Sequence, residues 1–341
     1  MTKTTLTVAK IKKTALCGTL LALLMCLAAF TLTGCGNKPS AAQPVSDNDA
    51  RVQVIEEEKK ELTAEDVKLM LERGETVSDG DFAAPIHIPT PSGELGIPHS
   101  GGWNSLDDSI CTVSDGDIIT GSSIGDACIW RVDEKGDVHT ATIRVRKAAY
   151  LTIDDWSNTL TPKILNVLKE YNVKATFFLI ANSHYPSFYT AIKEEGHSIG
   201  NHSYSHATSS MYKSQEALLS QFRQMDEYLL KEIDVKTDII RLPGGSVNKN
   251  ISYKRIEYVE FLRQNGYRVF DWTTSLSDSS RTITPEQSTY RVTKDCTDDF
   301  EMILMHHKRT SLNALPSIIK NLRAKDYEFF PITDSTPEYT F

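Results

Sequence analysis

Cysteine is scarce in this 341-residue chain: there are six, and Cys17 and Cys26 lie before position 35. The gaps between Cys111, Cys128 and Cys296 show nothing of the closely paired spacing of a thiolate metal site. Positive charge is in deficit too, with 37 Lys and Arg against 45 Asp and Glu and a formal net charge of −8. Such an acidic chain carries no electrostatic footprint for nucleic acid, and no nucleic-acid partner is expected. Nor is a protein partner evident. Long apolar runs are missing except between Ala15 and Leu32. With 40% hydrophobic and 24% charged residues, the rest has the make-up of a soluble globular protein with room for two domains.

The exceptional run follows Lys3, Lys10, Lys12 and Lys13 and ends at Leu32-Thr33-Gly34-Cys35. A basic start, an apolar middle and a small-residue end predict a secretory signal over 1–34. Leu-Thr-Gly-Cys resembles the lipobox of bacterial lipoproteins, which implies cleavage before Cys35 and lipid attachment to its sulfur. An uncleaved anchor is the alternative, since the run is marginal for a membrane span. Either way the chain is expected outside the cytoplasm, held to the cell membrane and facing the cell wall. Losing four lysines and no acids takes the net charge from −8 to −12. Cys111 and Cys128 then either pair in an oxidising compartment or pack as small hydrophobes.

Residues 35–61 are polar and acidic, with Pro39 and Pro44, and predict a disordered tether. A short helix and linker are expected over 62–80: Thr63 caps, Asp66 stands at the capping-box position, and Gly74 is a stop. From 81 to 146 short alternating runs, such as Ile110–Val113 and Thr140–Val145, are separated by Gly, Asp and Ser at hairpin spacing. They predict a small all-β sandwich. Trp103-Asn-Ser, Ile110–Gly116 and Gly125–Ile129 resemble the group 2 bacterial Ig-like domain, which implies a spacer or wall-binding module without chemistry.

Beyond 146 strand and helix patterns alternate. Ala148–Ile153 and Val173–Ile180 are short apolar runs of buried parallel strands. Thr161-Pro162 reads as an N-cap followed by Pro at the first helical position. Further helices are expected over 214–231, 253–264 and 315–324, with strands over 238–240, 267–270 and 302–305. Repeated βα units predict an α/β fold, a barrel or a doubly wound sheet. Asp154-Asp155, Arg241, Asp271 and His306 fall just past strand ends, on the rim where (β/α) barrels keep their active sites.

Four clusters there carry chemistry: Asp154-Asp155, His202-Ser-Tyr-Ser-His206, Arg241-Leu-Pro-Gly-Gly245 and Leu304-Met-His306. One carboxylate and two imidazoles suit a zinc-like divalent ion and leave a coordination position open. His202 and His206 are four apart, so on a helical turn both rings would face one way. The remaining Asp, Arg and His supply a base, an orienter and an acid. Each cluster alone is ordinary; together, in this order and at strand ends, they point to metal-assisted hydrolysis.

These clusters, with Val173-Lys-Ala-Thr-Phe-Phe178 and Glu195–His202, resemble the five motifs of the polysaccharide deacetylases of carbohydrate esterase family 4, from about Tyr150 to Asp334. The resemblance implies a distorted (β/α) barrel over 147–341. It implies that Asp155, His202 and His206 bind the metal, by default zinc, with Co, Ni or Mn also admitted. It further implies Asp154 as general base, Arg241 as its orienter and His306 as general acid. Leu304 would pack beside the acetyl pocket, and Gly244 would offer a backbone N–H to the oxyanion. Three motifs depart from the pattern. Trp156-Ser157 replace Gly-Pro, so Trp156 either narrows the cleft or gives a sugar a stacking face. Ser275 and Ser279 stand where many members carry Asp and Trp, leaving Trp272 for the aromatic wall and Asp278 as a candidate partner for Arg241. His307 replaces an acidic neighbour and is given no role. The expected activity is de-N-acetylation of a GlcNAc- or MurNAc-containing cell-wall polysaccharide, peptidoglycan first. The alternatives are an O-acetyl esterase on xylan or another glycan, and a non-catalytic wall-binding lipoprotein.

Overall fold

The computed structural model describes residues 62–78, 86–90, 94–96, 102–114, 118–181 and 185–341. The signal, the lipid site Cys35 and the tether all lie outside the described residues. Among those described, α1 (Ala64–Arg73) leads into β1 (Val77–Ser78), β2 (Ile86–Thr90), β3 (Glu94–Gly96), β4 (Asn104–Ser105), β5 (Cys111–Val113), β6 (Ile118–Gly121), β7 (Gly125–Val132) and β8 (Val138–Asp154). Helix and strand then alternate through α2 (Thr161–Glu170), β9 (Thr176–Leu179), α3 (Pro186–Glu194), β10 (Ser198–Asn201), α4 (Thr208–Met211), α5 (Gln215–Ile233), β11 (Ile239–Ile240) and α6 (Arg255–Gln264). The chain finishes with β12 (Arg268–Val269), β13 (Thr274–Ser275), α7 (Pro285–Asp295), β14 (Phe300–His306), α8 (Arg309–Arg323) and β15 (Tyr327–Phe329).

Strand β8 organises the rest. The sequence reads as two strands with a limit at 146/147, but the backbone stays extended for 17 residues across it. Pairing on both sides explains this: Lys147 is in register with Thr90 of β2 and with Tyr327 of β15. From Val138 to Val145 the strand lies antiparallel to β7, and its burial largely alternates, as befits a sheet with one face covered. From Ala148 to Asp154 every residue is buried, as in a parallel strand covered on both faces.

The parallel strands run in the order β12-β11-β10-β9-β8-β14-β13. The two edge strands, β12 and β13, follow each other in the chain, and no ladder joins them. The sheet therefore curls without closing, and the architecture is an α/β half-barrel, the open form of the distorted (β/α) barrel expected over 147–341. Its seam strands are two residues long, too short to carry the staggered ladder that closure needs. The core beneath the helices is built from Leu151, Ile153, Phe177, Leu179, Ile303 and Met305 on the strands, with Leu165, Leu168, Leu315 and Ile319 facing them.

Some local readings change. Leu160, not Thr161, is the N-cap of α2; the Thr161 hydroxyl accepts the Asn158 N–H and meets His307 Nδ1 at 2.9 Å. Helix α8 begins at Arg309, ahead of the expected Leu315, and holds Pro316 in its interior. Helix α7 was not anticipated, although Thr284 and Gln287 form a capping box at its start. Cys111 and Cys128 are free thiols. Cys111 lies in the core with Ile119, Ile129 and Ile143, whereas Cys128 falls between the core-facing Ala127 and Ile129, which puts it on the opposite face of β7.

Gly200 of β10 sits in register with Phe178 of β9, and a Cβ there would stand 2.5 Å from the Phe178 ring. Phe178 is fully buried and cannot swing aside. Gly200→Ala is expected to cost roughly 1–3 kcal/mol as overpacking, read as a lowered urea midpoint with an unchanged slope.

Candidate metal and acid–base centre

The tip of β8 delivers two adjacent carboxylates to different partners. Asp154 ends the strand, buried at 2% exposure. Asp155 follows at φ 81°, a left-handed conformation that L residues avoid unless their surroundings enforce it. Arg241, fully buried after β11, donates from Nη1 to Asp154 Oδ1 at 2.9 Å and to Thr152 Oγ1 at 2.7 Å. Its Nε and Nη2 donate to the carbonyls of Phe270 and Asp271 at 2.8 and 2.7 Å. The guanidinium lies over the Phe178 ring, 4.2 Å from its centroid. Burial pushes the Asp154 carboxyl above the ordinary range, with the Arg241 charge pulling against it.

His202 and His206 are not on a helix. They flank a loop between β10 and α4, in which Ser203 and His206 take positive φ values of 73° and 56°. The loop is held by its own polar groups. Ser203 N–H donates to Asn201 Oδ1, His206 N–H to Ser203 Oγ, and the Ser205 hydroxyl to Gln221 Oε1. One ligand atom from each of Asp155, His202 and His206 lies within 4.8 Å of the others. His206 Nε2 stands 3.9 Å from Asp155 Oδ1.

The donor set fits a divalent ion by an independent observation. His202 is buried, and its Nδ1 lies 2.8 Å from the Arg241 carbonyl, which can only accept. That bond fixes the proton on Nδ1 and leaves the Nε2 lone pair toward the cluster, the usual outer support of a ligating imidazole. Burial pushes the His202 pKa down to about 3, against the pull of Asp155, so the ring is neutral as a ligand must be.

Across the site, His306 ends β14 in register with Asp154. Its Nδ1 bonds Asp278 Oδ1 at 2.7 Å, and its backbone N–H donates to Asp278 Oδ2. The Ser311 hydroxyl also donates to Asp278 Oδ2. Asp278 is therefore the partner of His306 and not of Arg241, whose hydrogen bonds go to Thr152, Asp154, Phe270 and Asp271. Burial works against the imidazolium, but the hydrogen bond and charge of Asp278 outweigh it and hold His306 above its ordinary range. In return His306 holds the Asp278 carboxyl low, although burial favours its protonation.

The substrate-groove candidates scatter. Trp156 is exposed, at 52%, beside Asp155. Trp272 is half-buried, its ring edge-to-face with Phe341 at 5.2 Å and close over Gly245. Leu304 is buried two residues before His306 on β14, hence on the same side of the strand. Gly244 is exposed at φ 77°. His307 is buried beside Phe177 and pins α2 to β14 through Thr161, a structural part. Sequence reasoning missed Thr152, Ser311 and the two carbonyl groups that hold Arg241. A buried Thr in an apolar strand is a weak signal, and carbonyls leave none.

A family model described as "Polysaccharide deacetylase" matches residues 143–269. A peptidoglycan-N-acetylglucosamine deacetylase of Bacillus cereus is 33% identical over 196 residues, covering 54% of this chain and 68% of that protein. A second, PgdA of Listeria monocytogenes, is 29% identical, covering 56% of this chain and 39% of its own length. The crystal structure of the catalytic domain of a peptidoglycan N-acetylglucosamine deacetylase from Eubacterium rectale superposes with a TM-score of 0.54. It shares 32% identity and covers 57% of this chain and 93% of that one. Fold and site together define a hydrolase of non-peptide carbon–nitrogen amide bonds. The chain belongs to the polysaccharide deacetylase family.

Thr152→Val keeps the shape of a fully buried side chain but leaves one Arg241 N–H without an acceptor. The expected loss is ~1–3 kcal/mol, measured by urea denaturation against wild type.

Proposed function

We propose that this chain removes N-acetyl groups from a GlcNAc- or MurNAc-containing polysaccharide, peptidoglycan first, and releases acetate. One observation carries this reading: a buried Asp154–Arg241 pair beside a three-ligand cluster, facing a His306–Asp278 pair across the sheet. Asp155, His202 and His206 would hold the ion, with zinc the default and Co, Ni or Mn admitted by the same donors. A divalent ion held there supplies Lewis acidity to the acetamido carbonyl and makes water more acidic.

The remaining steps belong to the chain's own groups. Asp154, made more basic by burial, accepts the proton of the attacking water, and Arg241 keeps its Oδ1 edge occupied so that Oδ2 is the working oxygen. The Gly244 N–H serves the developing oxyanion. An amide nitrogen leaves only when protonated, and His306 supplies that proton from Nε2 while Nδ1 stays on Asp278. Water adds across the C–N bond, giving acetate and a free amine on the sugar. Leu304 lines the acetyl end, and Trp156 and Trp272 offer aromatic faces to the glycan. The lipobox at Cys35 supports a membrane-held enzyme facing the wall, with the β-rich part as spacer.

The test is acetate release by the purified full chain in detergent, fed peptidoglycan, chitooligosaccharides and acetylated xylan. Metal-restorable release from the N-acetylated polymers is expected, abolished by a chelator and by Asp155→Ala. Release from xylan alone would make the enzyme an O-esterase. No release from any of the three, with one ion bound per chain, would leave a glycan-binding lipoprotein.

The pH profile of kcat/KM is expected to be bell-shaped, needing Asp154 ionised and His306 protonated. Because Asp278 raises the His306 pKa, Asp278→Asn removes that support, and the alkaline limb moves to lower pH. An unshifted limb would remove His306 from the role of acid.

A further inference from the structure

We infer that the segment Glu338–Phe341 is a positioning strap for Arg241, lying along the open seam of the half-barrel at the point where the arginine is held. The inference rests on the reading of Asp154 and Arg241 as base and orienter.

The two carbonyls that accept from Arg241 Nε and Nη2 belong to Phe270 and Asp271, in the stretch between the edge strands β12 and β13. That stretch is tied to the sheet at its two ends, by Phe270 N–H to Ile240 O at 3.0 Å and Thr273 N–H to Met302 O at 2.8 Å. Between those ties it crosses the seam, where no strand lies alongside. The strap fills the gap. Tyr339 forms a parallel bridge with Phe270, and Asp271 N–H donates to Tyr339 O at 2.6 Å. Phe341 N–H donates to Asp271 Oδ2 at 3.0 Å. Glu338 Oε2 fastens the other end, accepting from Val269 N–H and from Arg263 Nε, each at 3.0 Å.

Asp271 is fully buried, and the remaining bonds to its carboxylate come from Ser246, through N–H at 2.9 Å and Oγ at 2.5 Å. Ser246 directly follows the Arg241–Gly245 loop. Asp271 thus joins three segments: the loop that carries Arg241, the seam whose carbonyls hold it, and the strap. Phe341 adds an apolar contact, edge-on to Trp272 at 5.2 Å, while the Arg241 guanidinium lies 5.7 Å from the centre of that same ring. Without the strap, the Asp271 N–H loses its acceptor and Asp271 Oδ2 keeps only the Ser246 hydroxyl, so the peptide that fixes the Arg241 fork is held less firmly between its ties at Phe270 and Thr273. Arg241 then no longer presents a fixed edge to Asp154, and a base displaced by a fraction of an ångström loses rate without losing substrate.

Phe341→Pro deletes the N–H that reaches Asp271, and Phe341→Leu keeps it. The full chain in detergent is compared as wild type and both variants. Measured are kcat and KM on chitooligosaccharide, bound zinc, and hydrogen exchange of the Arg241 Nε–H by NMR of arginine-labelled protein. The proline variant is expected to lose about tenfold in kcat, with KM and zinc content unchanged and faster Nε–H exchange. The leucine variant is expected to stay near wild type. Unchanged kcat and exchange in the proline variant, or an equal loss in the leucine variant, would overturn the strap. Should the proline variant fail to fold, Glu338→Ala takes its place: faster exchange supports the inference, and wild-type exchange refutes it. A wild-type chain that releases no acetate would fail the deacetylase reading alone, since the exchange comparison needs no turnover.

Discussion

A fully buried arginine is the constraint around which this half-barrel is arranged. Five N–H donors and a permanent charge cannot be left in a dry interior, and arginine does not shed its proton to escape. The chain meets the demand from several segments at once: Thr152 and Asp154 from β8, two carbonyls from the seam, and the Phe178 ring below. A buried ion pair of this sort is a poor source of net stability, because desolvation consumes most of the attraction. Its value lies in geometry. With its acceptors fixed, the fork has a single place to sit, and the carboxylate it holds inherits that place.

The site also shows one side chain serving in two protonation states about one cleft. His202 gives its Nδ1 proton to a neutral carbonyl, while burial keeps the ring uncharged. His306 gives its proton to a carboxylate, which sustains the imidazolium. The difference arises in what each Nδ1 meets, and it divides a neutral imidazole from an imidazolium without any change of residue type.

The alternation of strands and helices was legible because Ala148–Ile153 and Val173–Ile180 are short, apolar and rich in β-formers, and because the stripe on α2 keeps a helical period. The residues of the site were legible as clusters, since carboxylates and imidazoles at strand ends are few. Their pairing was less so. Asp278 reaches His306 across 28 positions, and nothing local marks it as that residue's partner rather than Arg241's. The i, i+4 spacing of His202 and His206 suggested a helix, yet Asn201, Ser203 and Gln221 supply side-chain bonds that outcompete helical ones and turn the chain left-handed. One side of the seam was legible, since β12 lies within the strand expected over 267–270; the other was not, because the two residues of β13 carry no period to read.

The unbroken run of β8 has a consequence for reach. Had the limit at 146/147 been a flexible joint, the separation between the antiparallel sheet and the catalytic tip would fluctuate as a chain coil does. A strand of 17 residues, laddered on both flanks, is instead a rod of roughly 50 Å at about 3.3 Å per residue. Asp154 therefore works at a fixed stand-off from whatever holds the far end of that rod.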